Sequence, residues 1–220
     1  QMLHFQLVRD MSPFSAALKA LPLPLALLPA ATSSDKLVAR FGRQNVIATG
    51  ILLIACGLLL FSLIEIDTNY WYIAATFVLI GGGMGLTMAP STTAVMDSVP
   101  ESKAGVGSAT NDASREVGGA LGIAVGGSVL NQIYQSSINI PDSALGQSDT
   151  IESSFPSAIN VGKQMIADGN SEGAELIASA KEAFLDGMIA ACLVAACVAI
   201  IAALIVKWKL PNDDYFSEEE

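Results

Sequence analysis

The feature that most constrains the fold of this chain is a series of five apolar blocks, each long enough to cross a bilayer as a helix. Such a helix needs about 20 largely apolar residues. The second and third blocks contain no charged residue at all. The blocks are 16–34, 46–64, 70–90, 104–133 and 184–206. The sequence therefore predicts an all-α fold, a polytopic transmembrane helix bundle.

The composition supports a membrane protein and excludes several other classes. Only 15% of the residues are charged, whereas soluble domains average about a quarter. A net charge of −10 without a basic patch argues against nucleic-acid binding. The three cysteines lie inside apolar blocks and the only histidine is His4, so no metal and no cofactor are predicted. Because the blocks contain no histidine, the catalytic pairs of a membrane-embedded enzyme are missing, and the chain is predicted not to be an enzyme.

Lysine and arginine are distributed unevenly over the segments that join the blocks. Segment 36–43 and the end of the chain carry them, whereas segment 65–70 has none. Because cytoplasmic loops are enriched in basic residues, both basic segments are predicted to be cytoplasmic in a multi-pass protein of the cell membrane; Arg9 is an exception. The predicted parts are a transmembrane bundle over 1–134, a partly helical extracytoplasmic loop over 135–183, a last transmembrane helix over 184–207 and an acidic cytoplasmic tail over 208–220.

The segment SVPES, between the third and fourth blocks, predicts the start of a helix. Ser98 and Glu101 have the S-x-x-E spacing of a capping box, and Pro100 lies between them, where proline is tolerated. We expect this role to be structural.

Glycines recur every four residues in the third and fourth blocks. Small residues at this spacing form a groove that lets another helix approach closely. The run GGGMG at 81–85 also resembles a phosphate-binding loop, but the apolar run before it is too long for a buried strand and no GxGxxG motif is present. The predicted helix-packing positions are Gly81, Gly85, Gly118, Gly122 and Gly126.

A polar cluster interrupts the fourth block. It consists of Asn111, Asp112, Arg115 and Glu116. An unpaired charge at the bilayer centre costs about 2.5–3.5 kcal/mol on insertion scales. Asp112 and Arg115 are three residues apart, close enough to pair on a helix, and they share one side with the glycines, which predicts that this side faces protein. The residues leave two functions open: a coupling or substrate-path cluster, or a structural ion pair at the inner interface.

Three stretches, in this order, resemble the C-terminal half of the major facilitator superfamily. They are RDMSPFSAALKALPLPLALLPA, KLVARFGRQ and GGGMGLTMAPSTTAVMDSVPESKAGVGSATNDASREVGGALG. The resemblance is greatest to the fourteen-span drug:proton antiporters of the EmrB/QacA type, and it covers 1–134 closely and 180–207 more loosely. It implies that the five blocks are the last five spans, and that residues 1–8 are the tail of the span before them.

The stretch KLVARFGRQ resembles the cytoplasmic motif of the family, an acid followed by Arg-x-Gly-Arg. The matching positions are Arg40, Gly42 and Arg43. The acidic position falls on Ala39, and Asp35, one helical turn earlier, is an open substitute. The basic side chains are expected to latch onto an acid at a neighbouring helix end, for which Asp97 is the candidate. The alternative is that Arg40 and Arg43 only set the topology.

The resemblance also implies a function. The family has two halves of six spans, with the substrate site between them near the midplane, so the partners would be the lipid bilayer, the missing N-terminal half, protons and a hydrophobic or amphipathic small molecule. Proton-driven export of such compounds is the implied activity, with Asp112 and Glu116 as proton-carrying candidates and Arg115 as their partner. The alternatives are a non-transporting membrane sensor or partner, and a facilitator of another substrate class, such as a metabolite exporter.

Overall fold

The computed structural model describes residues 13–65 and 68–210, and within these ranges the chain is helical, with no strand. The predictions about residues 1–8, Arg9 and most of the acidic tail lie outside the described residues. Five helices are long and apolar enough to cross a membrane. The helices are α1 (Pro13–Ala20), α2 (Pro22–Phe41), α3 (Arg43–Phe61), α4 (Tyr70–Asp97), α5 (Ala104–Ser137), α6 (Ser148–Ser153), α7 (Phe155–Ala167) and α8 (Glu172–Lys209), with short 3₁₀ turns at Glu101–Lys103 and Asp142–Gln147.

The first apolar block forms two helices because of its prolines. α1 ends at Ala20, and α2 begins at Pro22, which lacks the N–H that a continuous helix would require. Pro29 lies inside α2 without ending it. The first block is therefore a candidate membrane span with a break between its two helices. Membrane bundles tolerate such breaks.

The long helices form a row of neighbours. α4 packs along α2 on one side and along α3 on the other, α3 also packs on α8, and α8 packs on α5. α2 and α5 are the two ends of this row, and only Gly107 and Tyr134 of the residues of α5 are buried. The order of packing in space is thus α2, α4, α3, α8 and α5.

The junction between α4 and α5 differs from the predicted capping box. The Ser98 hydroxyl donates to the carbonyl oxygen of Val95, at 2.7 Å, and the turn that begins at Glu101 has no side-chain cap. The prediction is wrong because Ser98 still belongs to the last turn of α4, where its hydroxyl has a carbonyl acceptor within reach.

The surface and the interior have the character of a membrane protein. Large apolar side chains on the long helices are exposed, among them Ile123 at 79% and Trp208 at 82%. Buried hydroxyl groups bond to their own helix, as Thr76 does with the carbonyl oxygen of Ile73 at 2.7 Å. Apolar outer faces with internally satisfied polar groups are what a hydrocarbon solvent requires.

The segment between the last two blocks forms a compact helical cap, which we define as residues 138–183. It comprises a 3₁₀ turn, α6, α7 and the first part of α8. The ring centroid of Phe155, in the cap, lies 4.7 Å from that of Phe184, which follows the cap on α8. The hydroxyl of Tyr134, near the end of α5, donates to the carbonyl oxygen of Ile151 at 3.1 Å. Gly162 on α7 and Gly173 on α8 let these helices touch, because a Cβ on Gly162 would lie 2.9 Å from the carbonyl oxygen of Gly173.

Candidate functional site

The turn between α2 and α3 is built around a glycine. Gly42 has a φ of +80° and a ψ of 147°, a conformation that residues with a Cβ rarely adopt. Its N–H donates to the carbonyl oxygen of Val38, at 2.8 Å, which closes the last turn of α2. The turn therefore explains the glycine of the Arg-x-Gly-Arg motif, because the conformation of Gly42 allows α3 to begin at the next residue, Arg43.

Arg43 connects the start of α3 to the end of α4. Its Nη2 lies 2.8 Å from Oδ2 of Asp97, with the Arg43 side chain 17% exposed and that of Asp97 48% exposed. The acid that the sequence analysis named for this motif thus lies in hydrogen-bond contact with one of its two arginines. The contact joins helix ends that are 54 residues apart in the sequence.

The other predicted members of the motif are arranged differently. The Arg40 guanidinium lies over the ring of its neighbour Phe41, with 5.2 Å to the centroid. Asp35 is exposed, and no ion pair of the described residues includes it. The structure therefore does not bring Asp35 and Arg40 together as a substitute for the missing acid at Ala39.

Sequence reasoning missed two residues that follow Arg43. The Gln44 side-chain amide donates to the carbonyl oxygens of Val206 and Lys207, which end α8, and the Lys207 ammonium donates to Oδ1 of Asn45. The signal was their position at the start of α3, where amide side chains can satisfy the free carbonyls at the end of another helix. These contacts place the α2–α3 turn and the end of α8 at the same end of the bundle.

The polar cluster of α5 does not form the predicted internal pair. Nη2 of Arg115 donates to Oγ1 of Thr92, at 2.6 Å, and to the carbonyl oxygen of Met88, at 3.3 Å, both on α4. Within the described ranges, no ion pair joins Arg115 to Asp112, so the predicted pairing is wrong. Two oxygen atoms of α4 bind the guanidinium in place of Asp112, which stays exposed to solvent or membrane.

The remaining residues of the cluster are open. Asp112 and Glu116 are exposed and Asn111 is half-buried. On the same stretch of α5, a shallow depression of about 840 Å³ is lined by small and apolar residues that include Ala113, Val117 and Gly118. Asp112 and Glu116 are not among the residues that line this depression.

The glycines of α4 lie at close helix contacts. A Cβ on Gly81 would collide with the carbonyl oxygen of Leu23, and one on Gly85 would lie 2.5 Å from that of Leu27, both on α2. Gly83 faces the opposite way, where a Cβ would collide with the carbonyl oxygen of Gly50 on α3. Backbone contacts on two sides explain why α4 lies between α2 and α3.

The glycines of α5 lie in open space. At Gly118, Gly122 and Gly126, an added Cβ would meet no described atom within 4 Å. They line a cleft of about 440 Å³ between α5, α3 and α8. The predicted tight seam is therefore absent along this part of α5, where larger side chains, such as Leu58 and Val194, keep the helices apart.

Comparison with known proteins places this arrangement in a family. The model of the Major Facilitator Superfamily matches residues 2–123, more than half of the chain. The chain belongs to the Major Facilitator Superfamily. It is therefore a multi-pass membrane protein of a family of transporters. Within the described residues, no group of three or more histidine, cysteine or acidic side chains could hold a metal ion.

Several curated relatives are multidrug transporters or resistance proteins. The chain is 28% identical over 204 residues to the multidrug efflux pump LfrA of Mycolicibacterium smegmatis, an alignment that covers 92% of this chain and 40% of LfrA. It is 29% identical over 218 residues to the multidrug resistance protein Stp of Mycobacterium tuberculosis, covering 94% of this chain and 40% of Stp. It is 32% identical over 127 residues to the tetracenomycin C resistance and export protein of Streptomyces glaucescens, covering 58% of this chain and 24% of that protein. The chain thus spans less than half of the length of these relatives.

Proposed function

We propose that this chain is the C-terminal part of a fourteen-span transporter that exports drugs or other hydrophobic or amphipathic small molecules in exchange for protons. The observation that carries the proposal is the similarity to the two mycobacterial multidrug proteins over more than nine tenths of the chain. The packing agrees with it, because α5, at the end of the row, leaves a long apolar face uncovered. The partner for that face is the N-terminal half, and the substrate passes between the two halves.

In this proposal the acids of α5 take part in proton coupling. Asp112 and Glu116 are exposed on α5, a helix that also exposes large apolar side chains such as Ile123. A carboxyl group that borders the substrate path can exchange its proton for a cationic or amphipathic substrate and thereby bias the access state. Arg115 is directed to α4 instead, which leaves both acids without a fixed counter-ion among the described residues.

Transport by the full-length protein tests the proposal. We expect cells that express it to accumulate less of a fluorescent lipophilic cation, such as ethidium, and to lose this difference when a protonophore collapses the proton gradient. Asp112→Asn and Glu116→Gln are expected to lower proton-dependent efflux, whereas Glu101→Gln, in the turn before α5, serves as the matched control. Efflux that survives the protonophore would contradict proton coupling, and ligand binding without flux would identify a sensor.

The Arg43–Asp97 contact is proposed as a latch on the cytoplasmic side. It joins the start of α3 to the end of α4, next to the contacts of Gln44 with α8, so its loss would let the end of α4 move away from α3. Because both side chains are partly exposed, the pair is worth only about 0.2–1 kcal/mol, enough to shift the ratio of two access states severalfold without unfolding the bundle.

Accessibility measurements on the latch decide its role. We expect Asp97→Asn and Arg43→Gln to change the labelling rate of cysteines placed along the substrate path, and the exchange of both charges, Arg43→Asp with Asp97→Arg, to restore it. Arg40→Gln is the control, because Arg40 lies on Phe41 and makes no ion pair in the described part of the chain. If Asp97→Asn leaves accessibility and transport unchanged, the arginines only set the topology.

A further inference from the structure

The helix α4 has two parts that differ in how they are held, and Pro90 separates them. All of its buried residues lie between Ile73 and Pro90, and the segment that follows has none. Before Pro90, the glycine contacts with α2 and α3 involve backbone atoms, which cannot rotate away. We call residues 91–97 the inner segment.

Pro90 also weakens the backbone connection between the two parts. It has no N–H, so the carbonyl oxygen of Leu86 loses its helical hydrogen bond at this turn. Kinks in long helices are found at such positions. One backbone hydrogen bond of the helix is therefore missing where the inner segment joins the rest of α4.

Two arginines hold the inner segment from opposite neighbours. Arg43, from α3, contacts its last residue, Asp97, and Arg115, from α5, contacts its first turn at Thr92. The Thr92 hydroxyl donates to the carbonyl oxygen of Met88, at 2.9 Å, and at the same time accepts from Arg115. Since Arg115 also donates to that carbonyl, its guanidinium bridges the turn that contains Pro90.

We propose that Arg115 is a positioning residue that holds the inner segment of α4 against α5 across the Pro90 break. The hydrogen bonds of Arg115 join α5 to another long membrane helix, α4. Away from them, α5 faces the open cleft at Gly118, Gly122 and Gly126. Arg115 thus adds hydrogen bonds to the packing between α5 and the inner segment, where Gly107 lies beside Met96.

The inference deepens the proposed function, because it names a residue through which an access-state change would pass from α5 to α4. It does not depend on the identity of the substrate. Arg115 contacts α4 and fixes its position relative to α5. Loss of this side chain should therefore slow the conformational step and leave substrate binding intact.

Hydrogen exchange of the full-length transporter in nanodiscs tests the contact directly. In Arg115→Gln, we expect amides of the inner segment to exchange about tenfold faster, since a hydrogen bond to a charged group is lost, while peptides within 73–85 keep their protection. Thr92→Val should have the same effect, because valine has the shape of threonine without the oxygen. Thr92→Ser, which keeps the hydroxyl, should exchange as the wild type does.

Thr93 supplies a matched control for the threonine variants. Its hydroxyl donates to the carbonyl oxygen of Ala89, at 3.3 Å, within its own helix, and Arg115 does not contact it. Thr93→Val should therefore leave exchange unchanged. The inference is overturned if Thr93→Val equals Thr92→Val, if Thr92→Ser fails to restore protection, or if Arg115→Gln does not alter the inner segment.

Transport kinetics separate this inference from the proposed function. In an active transporter, Arg115→Gln and Thr92→Val should lower the maximal efflux rate about threefold to tenfold, with the half-saturating substrate concentration unchanged. A rise in that concentration alone would place Arg115 in the substrate site and overturn the positioning role. If the wild-type protein moves no substrate, the proposed function fails, and the exchange experiment still decides the contact between Arg115 and Thr92.

Discussion

The glycines of α4 and of α5 share a spacing of four residues and have opposite surroundings. At Gly81 and Gly85, the backbone of α2 occupies the place where a side chain would be. At Gly118 and Gly122, the same construction meets no described atom. Glycines spaced by four residues allow another helix to approach closely. Whether a helix does so depends on whether one lies next to that face.

The difference follows from the positions of the two helices in the row. α4 lies between α2 and α3, so two helices compete for its surface, and glycines on opposite faces serve both. α5 has only α8 beside it along most of its length. Where those two helices do approach closely, the small residue is on α8: a Cβ on Gly187 would lie 2.5 Å from the carbonyl oxygen of Leu130.

The substitution Gly81→Ala is expected to have the largest effect. The added methyl group would collide with the carbonyl oxygen of Leu23, a backbone atom that can move only if α2 moves. Overpacking of this kind costs about 1–3 kcal/mol. Thermal unfolding of the full-length protein in detergent, followed by tryptophan fluorescence, should show a lower midpoint.

Gly82→Ala is the matched control for Gly81→Ala. The two glycines are adjacent in the same helix, and no described atom lies within 4 Å of a Cβ on Gly82. Its unfolding midpoint should equal or exceed that of the wild type. Equal losses in both variants would show that the contact of Gly81 with α2 is not the cause of the destabilisation.

The substitution Gly187→Ala comes next in expected size. It tests the one close approach between α8 and α5 described above, and the cost should be about 1 kcal/mol, since α5 is the outermost helix of the row and can shift. The same unfolding measurement applies, with Gly127→Ala as the control on α5, where a Cβ has open space. A neutral Gly187→Ala would mean that α5 is not fixed against α8 at this point.

The sequence predicted the helices well because their signal is local. Block lengths predicted five membrane-spanning helices, and the described part of the chain has five candidate spans. The contact between Arg43 and Asp97 could be anticipated because the resemblance identified the arginine motif, and Asp97 was the candidate acid at a neighbouring helix end. Membrane sidedness, the part boundaries and the roles of the charged residues stay predictions.

The errors concern what a single sequence does not encode locally. Arg115 was assigned to Asp112 because they are one turn apart, but its partner Thr92 lies on another helix, 23 residues earlier. Gln44 and Asn45 were missed because their partners are 162 and 163 residues away. Helical spacing shows which residues share a face, and the neighbour of that face depends on the packing of the whole bundle.

The substitution Gly122→Ala is expected to have the smallest effect, with the opposite sign. Alanine in a helix is favoured over glycine by about 0.5–1 kcal/mol, and the cleft of about 440 Å³ leaves room for a methyl group. The unfolding midpoint of the full-length protein should therefore rise slightly, where Gly81→Ala lowers it. A clear loss of stability would show that a part of the transporter outside this chain packs against the α5 glycines. The glycines of α4 and of α5 would then both lie at close helix contacts.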